Sequence, residues 1–464
     1  MKKHQAPITK HQRSTNSQCR LVLGDWAFSG AWLLVIGAFL LVADSFAADS
    51  RLRLLIETDA GGDPDDEQSL VRFLLYANEW DVEGIIANRP GTRPGENLNR
   101  ERTGLGVVRQ LLNAYGECYT NLVKNDPRYP TRDYLWERTV PGYNGQDAAV
   151  DLIIKVVDRP DDRPLWYSDW GTDHGAATNN MLRALDRVLR ERGPEGYAKF
   201  KRKLRLTSYD MYGAHTTNIA PQFELWVNTF QPPIDGKRWY HRFSGITSKA
   251  GGFDLVRDVI QNHGPLGALY PTNTTHWQKE GDSPTFLYLV PTGMNDPDRP
   301  GWGSWAGRYG PNTNYPGKPY HWANQLDVWN GTTNRDNTLG RWAAALQNDF
   351  RARMDWCIKS GREANHPPIA KVRGELHRTV KRGERVTLDA TDSTDPDGDR
   401  LNLLWEFYPE PGTYIGALEV QTNRPGIIAF QAPNTNAVLH WILRATDNGT
   451  PPLSRYRRVV VRTN

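Results

Sequence analysis

The chain has 464 residues, with 57 Lys and Arg against 53 Asp and Glu and only three cysteines. Residues 1–47 hold five Lys/Arg and two Asp, so most of the formal +4 charge sits there and the remainder is nearly neutral. A nearly neutral chain argues against a nucleic-acid partner, which needs a basic face. The stretch from residue 48 to the end is longer than one hydrophobic core supports, so more than one domain is expected.

At the N-terminus, Lys2, Lys3, Lys10, Arg13 and Arg20 precede an apolar run from Ala31 to Ala43. Ser45 and Ala47 then place small residues at the −3 and −1 positions of a cut after Ala47. This pattern predicts a secretory signal over residues 1–47, and a secreted or periplasmic chain without membrane contact after cleavage. Cys19 leaves with the signal. Cys118 and Cys357 remain and could pair in an oxidising compartment, but two distant cysteines form neither a disulfide scaffold nor a zinc site.

From residue 48 to 362 strand-like and helix-like segments alternate. Strands are predicted at Leu52–Ile56, Val82–Ala87, Arg163–Ser168 and Lys203–Thr207, and helices at Ser69–Asn78, Thr103–Tyr115 and Thr178–Glu191. Such alternation implies parallel βαβ units and a doubly wound, mostly parallel sheet. Residues 262–320 are rich in Gly, Pro and Trp with little periodicity, as in the walls of a site. Beyond Asn365-His366-Pro367-Pro368 the pattern changes to short strands with polar turns: Arg385–Asp389, Leu403–Phe407, Ile427–Phe430, Leu439–Arg444 and Tyr456–Arg462. Residues 363–464 are therefore expected to form a small all-β, immunoglobulin-like sandwich. Trp405 and Trp441, flanked by Leu or Ile, belong in its core. The run Thr394-Asp395-Pro396-Asp397-Gly398-Asp399 reads as a β-turn, with a Ca²⁺ loop as the alternative.

The most informative stretch is Glu57-Thr58-Asp59-Ala60-Gly61-Gly62-Asp63-Pro64-Asp65-Asp66. It lies between a buried-type strand and a helix, where α/β sheets bind their ligands. Crowded carboxylates repel one another unless a hard cation holds them, and all-oxygen ligands suit Ca²⁺ or Mg²⁺. A solvated turn capping the next helix is the simpler alternative. The 17 Trp and 19 Tyr suit contact with sugar faces, and equally a large core.

The Asp-rich stretch resembles the metal-binding motif of nucleoside hydrolases, with Glu57 in place of the first Asp. Trp170-Gly171-Thr172 followed by Ala177-Thr178-Asn179-Asn180 resembles that family's Thr-Asn loop. Glu280-Gly281-Asp282-Ser283-Pro284 resembles its His-Asp-Pro site, with Gly281 where many members carry His. A closer resemblance is to a secreted bacterial family with a nucleoside-hydrolase-like domain and a C-terminal sandwich, described as cellulose-binding. The segments Gly61–Asp66, Ser69–Arg72, Gly281–Tyr288, Trp302–Tyr309 and Ala445–Leu453 carry it.

The resemblance implies a Ca²⁺ held by Asp59, Asp66, Asp282 and a carbonyl at Thr178, with Asp59 as general base. Asp65 would face substrate hydroxyls, and Asp63 competes for that role. Asn179, Glu280 and Trp305 would line the pocket. The activity implied is metal-dependent hydrolysis of a glycosyl or N-glycosyl bond in a carbohydrate or nucleoside substrate. The alternatives are a non-catalytic protein that binds cellulose or another polysaccharide surface, and a structural surface protein.

Overall fold

A computed structural model describes residues 51–62, 64–96, 99–171, 179–208, 223, 225–229, 242–272, 278–311 and 321–464. The predicted signal segment lies outside the described residues. Among the described residues, no helix is long and apolar enough to cross a membrane.

Eight strands form one sheet: β1 (Leu52–Thr58), β2 (Trp80–Ala87), β3 (Thr139–Pro141), β4 (Leu165–Asp169), β5 (Leu204–Ser208), β6 (Trp226–Asn228), β7 (Tyr309–Pro311) and β8 (His321–Asn324). Their order is β3-β2-β1-β4-β5-β6-β8-β7. All neighbours pair in parallel except β7 with β8. Five main helices follow the early strands: α1 (Pro64–Leu75), α2 (Gly104–Asn125), α3 (Arg132–Glu137), α4 (Ala148–Asp158) and α5 (Asn180–Arg202).

β1 shows why the sheet is covered on both faces. Successive side chains of a strand point to opposite sides. Leu54 and Ile56 enter the apolar cluster that contains Leu70, Val71 and Leu74 of α1 and Val107, Val108 and Leu111 of α2. Leu55 enters a second cluster with Ile153 of α4 and Leu185 and Val188 of α5. The expected doubly wound sheet is therefore present. Arg53, at the start of β1, is buried and satisfied: it donates to Glu83 at 2.7 Å and to the Val156 carbonyl at 2.5 Å. The strand order reverses between β1 and β4, which is the position where such sheets bind ligands.

Two strands, β9 (Asp327–Trp329) and β10 (Thr332–Asn334), make a small hairpin. The C-terminal region then supplies β11 (His377–Val380), β12 (Arg385–Asp389), β13 (Asn402–Phe407), β14 (Val420–Arg424), β15 (Ile427–Gln431), β16 (Ala437–Thr446) and β17 (Ser454–Thr463). They form a four-stranded sheet, β11-β17-β16-β13, and a three-stranded sheet, β12-β15-β14. One apolar cluster joins them, with Val386, Leu388 and Phe430 from the smaller sheet facing Leu439, Trp441, Leu443 and Val459 from the larger. Trp405 and Trp441 are buried in it at 9% and 2% exposure, so neither ring is a sugar platform. At the predicted turn, Asp395 Oδ1 accepts the N–H groups of Asp397 and Asp399 at 2.9 and 3.1 Å.

The sandwich shares a core with the α/β part. Tyr408, Ile442 and Tyr456 sit in the same cluster as α1 and α2. The seam is also polar: the Tyr456 and Arg458 N–H groups donate to Thr292 and Gly293 carbonyls at 2.9 and 3.1 Å, and Arg455 pairs with Asp349 at 2.6 Å.

Candidate metal centre

The Asp-rich segment leaves β1 at the switch point and enters α1 sooner than its composition suggests. Pro64 takes the first helical position, and Asp65, Asp66 and Glu67 fill the first turn, where carboxylates favour the helix dipole. Asp65 and Asp66 therefore stand on a helix and not in a loop. Asp66 Oδ1 accepts from Thr58 Oγ1 at 2.5 Å and from the Asp59 N–H at 3.1 Å, tying the helix start to the strand end. Gly61 has φ +92°, and a Cβ there would lie 2.9 Å from Thr92 Cγ2, so the turn requires glycine. Buried Glu67 accepts the Gly61 N–H at 3.0 Å and two bonds from Arg93, at 2.5 and 2.8 Å. Arg89 reaches Asp59 at 3.5 Å.

A second segment is delivered to the same place by α1. Gln68 accepts the N–H groups of Lys279 and Glu280 at 2.7 and 3.2 Å and donates to the Pro271 carbonyl at 3.0 Å. Arg72 forms a fully buried two-pronged ion pair with Glu280. Glu280 also accepts from Tyr270 at 2.7 Å, Gln278 at 2.5 Å and Ser283 at 2.8 Å. Two residues on, Asp282 is set against the start of α1. Carboxylate oxygens of Asp65, Asp66 and Asp282 lie within 4.8 Å of one another, and the three are 3%, 3% and 1% exposed. Asp59 adjoins them and is more open, its side chain 14% exposed.

This donor set fits a hard divalent cation. Oxygens bound to one Ca²⁺ at roughly 2.3–2.6 Å are separated by no more than about 5 Å. Without a cation the arrangement is costly. Burial, then the charges of Asp282, Asp59 and Asp65, push the Asp66 carboxyl well above its ordinary value.

That shift gives a pH test. An unfolded Asp titrates near 3.8, so above that value the chelated folded chain holds a proton on Asp66 that the unfolded chain has lost. Its contribution to stability is present at low pH and falls as pH rises through and beyond that value. Saturating divalent cation should remove the fall. Melting curves from about pH 4 to about pH 8, with chelator and with Ca²⁺, check this; parallel series would mean that no cation enters the cluster.

The other predicted site residues have separate fates. Asp63 and Thr178 lie outside the described residues. Asn179 caps α5, its Oδ1 accepting the Leu182 N–H at 2.8 Å. Glu280 has its oxygens occupied by Arg72 and three neutral donors, which makes it a strut for the Asp282 segment and not a pocket-lining contact. Trp305 is fully buried in the seam with the sandwich, with the Arg455 guanidinium 5.6 Å from its ring centre, so it offers a sugar no ring face. Glu57 is held by Tyr167 and by Asn180 at 2.7 Å, outside the three-carboxylate group. Sequence reasoning gave Arg72 no role in the site and missed Gln68, Glu67, Arg89 and Arg93. The arginines after β2 were a visible signal, since basic residues beside an acidic loop are candidates to neutralise it.

Residues 53–309 match the model of the cellulose-binding Sde182 nucleoside hydrolase-like domain. The chain belongs to this family. Residues 385–463 match the C-terminal domain of cellulose-binding protein Sde0182. A solved structure from Saccharophagus degradans, a nucleoside hydrolase-related hypothetical protein associated with carbohydrate metabolism, is 32% identical. It aligns over 89% of this chain and 100% of its own, with a TM-score of 0.70. No protein of curated function matches. The family's two-part organisation agrees with the sheet and sandwich described above.

Proposed function

We propose that the chain is a secreted, Ca²⁺-dependent hydrolase of glycosyl or N-glycosyl bonds in a carbohydrate or nucleoside. The observation that carries this reading is the convergence of Asp65, Asp66 and Asp282 at the switch point of the sheet, with the more exposed Asp59 beside them. Asp66 and Asp282 are the cation's deepest ligands, and Asp59 borders it. Asp65, in the same cluster, takes a sugar hydroxyl in this reading. A Ca²⁺ held there would supply Lewis acidity toward water and sugar hydroxyls. Asp59 then accepts the proton of the attacking water, as glycosyl transfer through an oxocarbenium-like state requires. Arg89 orients that carboxylate. Residues 48–362 carry the chemistry in this reading, and residues 363–464 form the accessory module.

The second reading is a non-catalytic polysaccharide binder. It is favoured by Gly281, which has no proton to give a leaving group where the resemblance places His, and by the family's cellulose-binding description. One experiment separates the two. The chain is incubated with nucleosides and short glycosides, with Ca²⁺ or with chelator, and released sugar is measured. Cation-dependent release supports the hydrolase. Retardation in native gels by soluble glucan, without any release, establishes the binder.

A further inference from the structure

Cys118 lies in the middle of α2, and Cys357 follows the helix Ala343–Asp355. The two are far apart in sequence and buried, at 1% and 4% exposure. Gly264 opens a short helix between them at φ +74°. A Cβ on it would be 3.5 Å from Cys118 Sγ and 4.0 Å from Cys357 Cβ, so one backbone position borders both cysteines. The two are free thiols that border the same backbone position and interact with each other. That interaction holds the Cys118 thiol below its ordinary range and, with burial, drives the Cys357 thiol up. Neither belongs to the acidic cluster, which is the one metal-type group among the described residues. Side chains of α2 already hold the backbone around Cys357: the Asn121 amide donates to the Cys357 carbonyl at 3.1 Å and the Asn125 amide to that of Lys359 at 2.9 Å.

We infer that Cys118 and Cys357 are joined as a disulfide in the mature protein, clamping α2 to the last helix of the α/β part. The inference rests on the oxidising destination contained in the proposed function. The oxidant is a disulfide-bearing exchange partner such as oxidised glutathione or a thiol oxidoreductase. One cysteine thiolate attacks the partner's S–S bond, which breaks and releases one thiol. The second cysteine attacks the resulting mixed disulfide, forming the Sγ–Sγ bond and releasing the other thiol. Two electrons pass to the partner, and the two thiol protons go with them. Because both sulfurs are buried, exchange precedes the closing of α2 on its neighbours during folding. The clamp has a bearing on the metal centre, since α2 begins at Gly104, whose N–H donates to the Arg89 carbonyl at 3.0 Å.

The test uses the full chain in two forms, exported to an oxidising compartment and refolded from denaturant in a glutathione redox buffer. Each is denatured without reductant, alkylated and peptide-mapped. The expected result is no alkylatable thiol at either position, and one cross-linked peptide pair lighter by the two thiol hydrogens. Oxidised chain should also melt higher than the same chain after reduction, on the order of 5 °C. Two free thiols, or two mixed glutathione disulfides, in the refolded chain overturn the inference. Equal melting of the oxidised and reduced forms overturns the clamp. If the refolded chain forms the bond and the exported chain does not, the two cysteines can pair but the disulfide of the mature protein is overturned.

Discussion

Replacing Arg72 with methionine should cost the chain about 3–5 kcal/mol of stability, the typical loss when one partner of a buried ion pair is removed. Glu280 would stay buried with only Tyr270, Gln278 and Ser283 to satisfy it. Arg72 also donates to Gln347 at 2.9 Å and stacks 3.6 Å from the centre of the Phe350 ring, so packing would be lost as well. The effect should reach the metal centre, because the same ion pair sets the segment that carries Asp282. Cation affinity, measured by titration calorimetry, should fall with the stability measured in urea. The double substitution Arg72→Met with Glu280→Gln removes the stranded charge and should regain most of the lost stability. A single variant costing less than about 1 kcal/mol would mean that the pair is not what fixes this segment, since that is the scale of an exposed pair.

The sequence made the architecture legible because each signal there is local. β1 is a run of apolar residues, and its alternation sends Leu54 and Leu55 into different clusters. The sandwich strands read easily for the same reason: Arg385–Asp389 alternates exposed and buried residues along one edge. Helix limits are less legible. The apolar pattern predicts α1 from Ser69, yet the helix starts at Pro64, because proline at the first position and acids in the first turn are themselves a helix start. α5 runs on to Arg202 through a break at Gly193 and Pro194 that reads in sequence as an end.

The candidate metal centre is legible only in its acids. Asp66 and Asp282 carry recognisable neighbours in sequence, and the fold brings them together. The residues that make this possible leave no spacing signal. Arg72 and Glu280 are far apart in the chain, and nothing in a Ser-Leu-Val-Arg helix says that its arginine is buried. Trp305 misleads for the converse reason. Aromatic abundance suits a sugar surface or a core equally, and only the packing of the sandwich against residues 290–305 decides between them.

If the chain is the hydrolase proposed above, Asp59→Asn should lower the rate of glycosyl hydrolysis by about 10²–10⁴-fold, the usual contribution of a general base. The substitution keeps the size of the side chain and one oxygen, and it leaves the backbone N–H that bonds Asp66, so the fold should be unchanged. Asp65, Asp66 and Asp282 still offer three carboxylates. The Asn variant should therefore retain a cation-induced rise in melting temperature while losing turnover. That split distinguishes a base from a deep ligand, because Asp66→Asn should lose both. Asp59→Ala should abolish turnover too, but it cannot make this distinction, since it removes the oxygen ligand along with the base. Wild-type turnover in Asp59→Asn would exclude Asp59 as the base and pass the role to Asp65 or Asp63. The more exposed position of Asp59 beside the buried three argues against that outcome, because a base must meet water that the closed cluster excludes.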